Sequence, residues 1–123
     1  MMTTNDLDAF FSKGWNRHDV DLLMTFMTDD CVFESTAGPE ACGTRHAGRE
    51  RVRRAFARVF EVFPDARFVD ARHFVAGDRG VSEWLFTGTS ADGKRVEVNG
   101  CDLLTFEKGK IALKTSYFKT RTG

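Results

Sequence analysis

One acidic residue of the sequence lies in a setting that favours unusual chemistry. Asp102 belongs to a segment in which every second residue is apolar or small, so a β-strand there would place it on an apolar face. The residues that share this face are Val98, Gly100, Leu104 and Phe106. Burial in such surroundings disfavours the charged form of a carboxylic acid unless a cation lies nearby. We therefore predict that Asp102 is a polar group at the bottom of an apolar pocket, one half of a structural ion pair, or a side chain that bonds to a neighbouring strand.

Lys114 is the candidate partner of Asp102, and the loop of a predicted hairpin decides which face of the sheet it occupies. If residues 107–109 form a three-residue loop, Lys114 faces Asp102. A four-residue loop would instead give that face Leu113, Thr115 and Tyr117. In the first case the two charges form a shielded pair. The Lys114 ammonium is then the better group to polarise a substrate carbonyl, with Asp102 holding it in place.

Two further residues have the chemistry to move a proton. His46 precedes a predicted helix and titrates in the range that acid–base catalysis uses, although a histidine there also suits a bond to the backbone at the helix entrance. Glu34 is a general base only if its strand turns it into the pocket, and otherwise a surface carboxylate. His73 is expected on a strand surface or at an interface. Cys42 and His46 are the only closely spaced cysteine and histidine and lack two further ligands, so we predict no metal and no other cofactor.

One domain spanning residues 1–123 must position these groups, because the sequence has no repeat, linker or change in composition. Apolar residues at helical spacing predict a helix from Leu7 to Trp15, a second helix that Asp19 caps, and a long third helix from Gly48 to Phe63. Strand-like runs occupy residues 31–35, 66–76, 81–89, 95–106 and 110–121, with a loop at 36–47. The order α-α-β-α-β-β-β-β predicts an α+β fold with the helices on one face of an antiparallel sheet.

The composition excludes several classes of protein. Eighteen basic residues balance eighteen acidic ones, so the chain lacks the charge excess of a nucleic-acid-binding domain. No apolar run is long enough for a membrane span, and the first residues do not resemble a signal peptide. Three irregularly spaced cysteines indicate free thiols and a cytoplasmic protein. Twelve phenylalanines against one tyrosine predict a deep or hollow interior, and we expect Trp15, Trp84 and Phe118 to line any cavity.

Several short motifs occur in an order that is specific as a set. Asn16–Asp19 precedes the second helix, Phe26–Phe33 leads into the first strand, and His46–Glu50 opens the third helix. Trp84–Thr89 and Phe106–Ile111 lie in the later strands. Together they resemble the nuclear transport factor 2-like superfamily, which includes ketosteroid isomerases, SnoaL-like polyketide cyclases and limonene epoxide hydrolases. The resemblance implies a cone, in which a curved antiparallel sheet wraps around the long third helix and leaves an apolar pocket at the open end.

The catalytic residues of these families are only partly matched. By resemblance to the isomerases, Ser35 stands at the position of their general base and Phe11 at that of their oxyanion tyrosine, whereas their protonated oxyanion acid is matched by Asp102. The acid in the last strand of the cyclases has no equivalent here. The Asp-Arg-Asp set of the hydrolases is also absent, since residues 83–85 read Glu-Trp-Leu. No characterised mechanism of the superfamily therefore transfers intact.

Three interpretations of function remain open. The first is an isomerase-, cyclase- or lyase-type enzyme that moves a proton on a small, apolar carbonyl compound. The second is a domain that binds such a compound without converting it, and the third is a dimerisation module whose pocket is filled by its own side chains. The predicted catalytic residues are Asp102, Lys114 and His46, and the predicted substrate-binding residues are Trp15, Phe11, Glu34, Trp84 and Phe118.

The outer face of the sheet is predicted to be partly apolar. Cys101 and Leu103 alternate opposite to Asp102, so they point away from the pocket. An apolar patch on an open sheet face needs a cover. We therefore expect a homodimer through this face, which the family resemblance also implies, and a small hydrophobic molecule as ligand, with no nucleic-acid or membrane partner.

Overall fold

The computed structural model describes residues 1–123 and combines a few helices with one six-stranded sheet. The helices are α1 (Thr4–Ala9), which continues into a π-helical turn (Phe10–Trp15), α2 (Val20–Thr25) and α3 (Arg49–Val62). The strands are β1 (Met27–Glu34), β2 (Arg45–Ala47), β3 (Arg67–Ala76), β4 (Arg79–Thr89), β5 (Arg95–Glu107) and β6 (Lys110–Phe118). The order confirms the predicted α+β fold, with a long third helix followed by four strands.

Local side chains fix where the first two helices begin. The Thr3 hydroxyl accepts a hydrogen bond from the Asp6 backbone N–H, and the Asp6 carboxylate accepts one from the Thr3 N–H. This capping box satisfies two backbone donors that the first turn leaves free. Asp19 accepts from the Leu22 N–H at 3.0 Å and caps α2 as predicted.

The π-helical turn brings Trp15 into the core. Helical spacing alone predicts an ordinary α-helix there, but the Asn16 N–H bonds to the Phe11 carbonyl five residues earlier. The wider turn lets Phe10, Phe11 and Trp15 all lie buried. The buried position of the Trp15 side chain therefore depends on this one irregular turn.

The six strands form one sheet in the order β2-β1-β6-β5-β4-β3. Neighbouring strands are antiparallel except β1 and β6, which run parallel. Strand β2 lies inside the segment predicted as a loop, because its three residues are too few to show an alternating pattern. Strand β1 begins at Met27 rather than at residue 31, and Asp29 and Asp30 are exposed positions of this strand.

Helix α3 covers the concave face of the sheet. Its Val52 and Phe56 are fully buried, and the Phe56 ring lies 5.2 Å from the Phe33 ring of β1 and 4.8 Å from the Trp15 ring. Full burial of an apolar side chain of this size contributes about 1.5–3 kcal/mol. No helix in the structure combines the length and the apolar character that crossing a membrane requires.

Candidate functional site

An apolar cavity of about 310 Å³ lies between α3 and the concave face of the sheet. This volume is near the lower end of the range of roughly 300–1,000 Å³ that small-molecule sites occupy. Three ionisable side chains line it, namely His46, Arg58 and Lys114. Arg58 is 71% exposed and pairs with Glu61, so it marks the mouth, whereas Lys114 is buried.

A tight turn and a β-bulge together place Lys114 inside the cone. Glu107 pairs with Lys110, so the hairpin closes on two residues, Lys108 and Gly109, which both have positive φ. The expectation of a three- or four-residue loop is therefore wrong. A two-residue loop alone would turn Lys114 outward, but Ala112 is an extra residue between two successive pairs of β5 and β6. This bulge reverses the alternation and returns Lys114 to the inner face.

The Lys114 ammonium lies in a cage of polar and aromatic groups. Its Nζ is 3.0 Å from Asp102 Oδ1 and donates a hydrogen bond of 2.9 Å to Ser116 Oγ. Three rings face the nitrogen, with centroids at 4.6 Å for Phe33, 5.0 Å for Trp15 and 5.7 Å for Phe56. Burial lowers the pKa of Lys114 from its ordinary value, and Asp102 opposes that effect by charge and by hydrogen bonding.

Asp102 is fully buried and holds the groups around it in place. Its Oδ2 accepts a hydrogen bond of 3.1 Å from Trp84 Nε1, and its Oδ1 accepts one from the Ser116 hydroxyl as well as from Lys114. The ion pair expected from the sequence is thus present. Asp102 is not among the lining residues, because Lys114 and Ser116 stand between it and the cavity. The expectation that Asp102 itself lines the pocket is therefore wrong, and its contacts are with Lys114, Ser116 and Trp84.

His46, Phe33 and Lys114 form a row across three strands. Phe33 of β1 pairs with His46 of β2 on one side and with Lys114 of β6 on the other. Since neighbouring strands lie ~4.8 Å apart, the backbones of His46 and Lys114 are roughly 10 Å apart. The His46 ring stacks on Phe33 at 5.7 Å, and burial lowers its pKa below 6.5. At neutral pH the imidazole is uncharged and available to accept a proton.

The structure separates the remaining predicted site residues into two groups. Trp15, Trp84 and Phe118 line the cavity. Phe11 does not, because its ring is buried against other aromatic side chains behind the wall. Glu34 also lies outside, since Phe33 points inward and the next residue of the strand points away, where Glu34 is 3.9 Å from Arg45.

Ser116 and Phe33 are site residues that sequence reasoning missed. Ser116 lies two residues after Lys114 and shares its face, so the same hairpin geometry decides the position of both residues, and the bulge at Ala112 settles it. Phe33 precedes Glu34 in the same strand, so it faces the pocket when Glu34 faces away, and this alternation is the signal that identifies it. Both residues line the cavity and contact Lys114.

A second polar group lies on the inner face beside Asp102. Ser82 pairs with Asp102 across β4 and β5, and its hydroxyl lies 2.8 Å from Nδ1 of His73. The sequence placed His73 on the strand surface, which is wrong, because a bulge between Val69 and Arg72 turns it inward. His73 is 6% exposed, and its Nε2 has no hydrogen-bond partner.

Acidification below about pH 6.5 is expected to destabilise the fold. Burial lowers the pKa of His73, and that of His46, below 6.5 in the folded protein. Between 6.5 and the folded-state pKa the unfolded chain therefore binds more protons. The stability that the neutral rings contribute is present above this window and is lost as the pH falls through it. Urea denaturation from about pH 8 to about pH 5 measures the loss.

The variant His73→Gln should flatten this pH dependence, because it removes one of the two rings whose pKa burial lowers. His18→Gln is the matched control, since His18 bonds to the Ala66 carbonyl away from this polar group. An unchanged slope in His73→Gln, with a flattened slope in His18→Gln, would contradict the assignment.

Comparisons with known proteins agree with this architecture. The sequence model of the SnoaL-like domain matches residues 7–114, and no curated protein matches the chain. A nuclear transport factor 2-like protein of unknown function from Mesorhizobium loti is 32% identical, with 92% of this chain and 84% of that chain covered and a TM-score of 0.68.

Two solved structures below 25% identity share the fold. A Pseudomonas putida KT2440 protein provisionally assigned as a polyketide cyclase is 18% identical, with 97% of this chain and 92% of that chain covered and a TM-score of 0.84. TerC, co-crystallised with polyporic acid, is 21% identical, with 92% and 87% covered and a TM-score of 0.75. The chain therefore belongs to the SnoaL-like domain family, and its six-stranded sheet and central helix have the nuclear transport factor 2-like fold.

Proposed function

We propose that the protein binds a small apolar compound bearing a carbonyl group and catalyses proton transfer next to that carbonyl. The observation that carries the proposal is Lys114, a buried basic group in the wall of an otherwise apolar cavity. Apolar walls with a few convergent polar groups are the usual form of a small-molecule site. Family membership supports a ligand-binding or cyclase-type role, and TerC offers a relative of this fold with an organic ligand.

Lys114 has one N–H left for a ligand. An ammonium has three donors, of which Asp102 and Ser116 take two. A carbonyl oxygen in the cavity would accept the third, and a hydrogen bond from a charged donor contributes about 1.5–3 kcal/mol. The indole N–H of Trp15, another wall residue, also has no acceptor within the protein. The part of the cavity around Lys114 thus supplies two N–H donors to a ligand oxygen.

Polarisation of the carbonyl makes a neighbouring C–H more acidic. Charge that develops on the oxygen would be stabilised by Lys114, which Asp102 holds in position before the reaction begins. Neutral His46 then accepts the proton from the carbon and can return it to another atom. Such a transfer is the common step of isomerase-, cyclase- and lyase-type reactions on carbonyl compounds.

Binding without conversion is the second candidate function. No carboxylate lines the cavity, because Glu34 points away and Asp102 lies behind Ser116. His46 is then the only base at hand, and it stands at some distance from Lys114. If its position does not suit the bound compound, the protein is a carrier or sensor of the same ligand.

A matched pair of ligands tests the binding step. 2-Tetralone and tetralin differ by one carbonyl oxygen, and each is a two-ring compound suited to a cavity of this volume. Calorimetry should show at least about tenfold tighter binding of the ketone, because its oxygen gains the Lys114 hydrogen bond. Lys114→Met should remove the preference and leave tetralin binding in place. Equal affinity of the wild-type protein for both compounds would reject the proposal.

Hydrogen exchange separates the two candidate functions. In deuterated buffer, an enzyme of the proposed kind would accelerate loss of the protons next to the 2-tetralone carbonyl, as followed by NMR. His46→Gln should slow this exchange and leave the affinity for the ketone close to that of the wild type. Selective binding with no accelerated exchange would favour the non-catalytic function.

We also propose that a second copy of the chain covers the outer face of the sheet. Phe74 is 57% exposed and Tyr117 is 54% exposed there, and Leu103 lies between Val81 and Thr115 on the same face. Light scattering at micromolar concentration should give the mass of a dimer, and Leu103→Glu should give a monomer, because it places a charge in the middle of the covered patch. A monomer mass for the wild-type protein would contradict the expectation.

A further inference from the structure

We infer that Lys114 forms a covalent imine with the carbonyl carbon of its ligand, which narrows the ligand class to aldehydes and ketones. The inference rests on the proposed function, because it requires a carbonyl compound in the cavity beside Lys114. It adds a bond-forming step and a substrate restriction to that function. Amides and esters would accept the same hydrogen bond, but they do not condense with an amine to an imine under mild conditions.

Lys114 differs from every other lysine of the chain in its surroundings. The other five lysines are exposed, namely Lys13, Lys94, Lys108, Lys110 and Lys119. Lys114 is 2% exposed and lines the apolar cavity, with the rings of Trp15 and Phe33 within 5.0 Å of its nitrogen. Burial that disfavours the charged form is how lysines become nucleophiles. The same rings limit the access of water, which would otherwise hydrolyse an imine.

A bound carbonyl would stand close to the nitrogen that attacks it. When Nζ donates a hydrogen bond to a carbonyl oxygen, the carbonyl carbon lies about 4 Å from the nitrogen, so a rotation of the ligand about this contact brings the carbon to the near-attack separation of about 3–3.5 Å. Asp102 and Ser116 fix the nitrogen from the other side. This rotation of the ligand precedes the formation of the carbon–nitrogen bond.

The pair with Asp102 provides the proton transfers that the reaction needs. Transfer of one proton from Lys114 to the carboxylate, along the existing 3.0 Å contact, removes both buried charges and leaves a neutral amine. The amine nitrogen attacks the carbonyl carbon, and the π electron pair moves to the oxygen. Protons returned through Asp102 and Ser116 convert that oxygen to water, which leaves as the carbon–nitrogen double bond forms. The net reaction is ammonium plus carbonyl compound to protonated imine plus water.

The product restores the charge arrangement of the free protein. A protonated imine is a cation and takes the place of the ammonium beside Asp102, so the buried carboxylate keeps its partner. The cationic nitrogen withdraws electrons from the neighbouring carbon more strongly than a hydrogen-bonded carbonyl does. Removal of a proton by His46, or cleavage of a carbon–carbon bond next to the imine, then becomes easier.

Reductive trapping of the wild-type protein tests the inference. Incubation with 2-naphthaldehyde and sodium cyanoborohydride converts any imine into a stable secondary amine, and peptide mapping by mass spectrometry locates it. Lys114 should be labelled several-fold more than the mean of the five exposed lysines, since it lines the cavity that binds the aldehyde and its burial favours the neutral amine. An excess of tetralin, which has no carbonyl, should block labelling of Lys114 and leave that of the exposed lysines unchanged.

Two outcomes separate this inference from the proposed function. If 2-tetralone binds more tightly than tetralin but Lys114 is labelled no more than the exposed lysines, the imine is overturned and carbonyl binding stands. If neither selective binding nor selective labelling occurs, both fail. Labelling of Lys114 that tetralin does not block also overturns the inference, because the reaction would then not take place in the cavity.

Discussion

Replacement of Lys114 by methionine is expected to lower the free energy of unfolding by about 3–5 kcal/mol, because it leaves the Asp102 carboxylate buried without its cation. Asp102 is 0% exposed and Lys114 is 2% exposed, so neither group reaches water once its partner is gone. Asp102→Asn should cost a similar amount, since it leaves the ammonium without its counter-charge. Urea denaturation at neutral pH, followed by circular dichroism, measures both losses.

The double variant Lys114→Met/Asp102→Leu provides the decisive comparison. Replacement of a whole buried pair by apolar side chains is often close to neutral, because no unpaired charge remains. We therefore expect it to recover most of the stability that either single variant loses, and to bind 2-tetralone no better than tetralin. Arg54→Met breaks the exposed Arg54–Glu50 pair and should cost only about 0.5 kcal/mol or less. Losses in the two single variants that simply add in the double variant would show that the pair is not a unit.

Binding distinguishes the roles of the two partners. Lys114→Met should reduce the preference for the ketone at least as much as Asp102→Asn does, because Lys114 donates to the ligand whereas Asp102 acts through it. A greater loss in Asp102→Asn would instead favour direct donation by the acid.

The long elements and the inner position of Asp102 follow from the sequence. The apolar stripe of α3 and the alternation in β5 extend over many residues, so each pattern repeats often enough to be read without tertiary information. The same alternation places Asp102 on the inner face, where the structure has it. An alternating pattern of this length identifies the face of the sheet on which Asp102 lies. It does not show that side chains of the neighbouring strand β6 separate Asp102 from the cavity.

Single-residue irregularities account for most of what the sequence does not predict. Ala112 carries no signal that it will form a bulge, yet it decides whether Lys114 and Ser116 face the cavity. The bulge between Val69 and Arg72 likewise moves His73 from the predicted surface to the interior. Each bulge shifts the alternation by one residue, and a shift of one residue exchanges the two faces of a strand. The separation of Asp102 from the cavity by Lys114 also depends on the register of β6 against β5.

Replacement of Gly100 by alanine is expected to destabilise the fold and to disturb the site. Trp84 can approach the backbone at residue 100 this closely only because glycine has no side chain. Gly100 pairs with Trp84 across β4 and β5. A methyl group there would overlap the indole ring, at 2.6 Å from its Cη2 atom, and would lie 2.5 Å from the Tyr117 carbonyl oxygen. The ring would have to move, and Trp84 Nε1 would lose its hydrogen bond to Asp102. Overpacking of this kind costs about 1–3 kcal/mol.

Gly88→Ala is the matched control, because the added methyl group meets only the Phe63 side chain, at 3.0 Å or more. We expect it to cost less than about 1 kcal/mol and to leave the tryptophan fluorescence unchanged. Gly100→Ala should shift that fluorescence. It should also weaken the preference for 2-tetralone, since Asp102 then lacks the hydrogen bond from Trp84 that helps to hold it beside Lys114. Adding Trp84→Phe to Gly100→Ala should not restore stability, because the second obstacle is the backbone oxygen of Tyr117, which a smaller ring does not move. Full recovery in that double variant would show that the clash with Trp84 is the only constraint on Gly100.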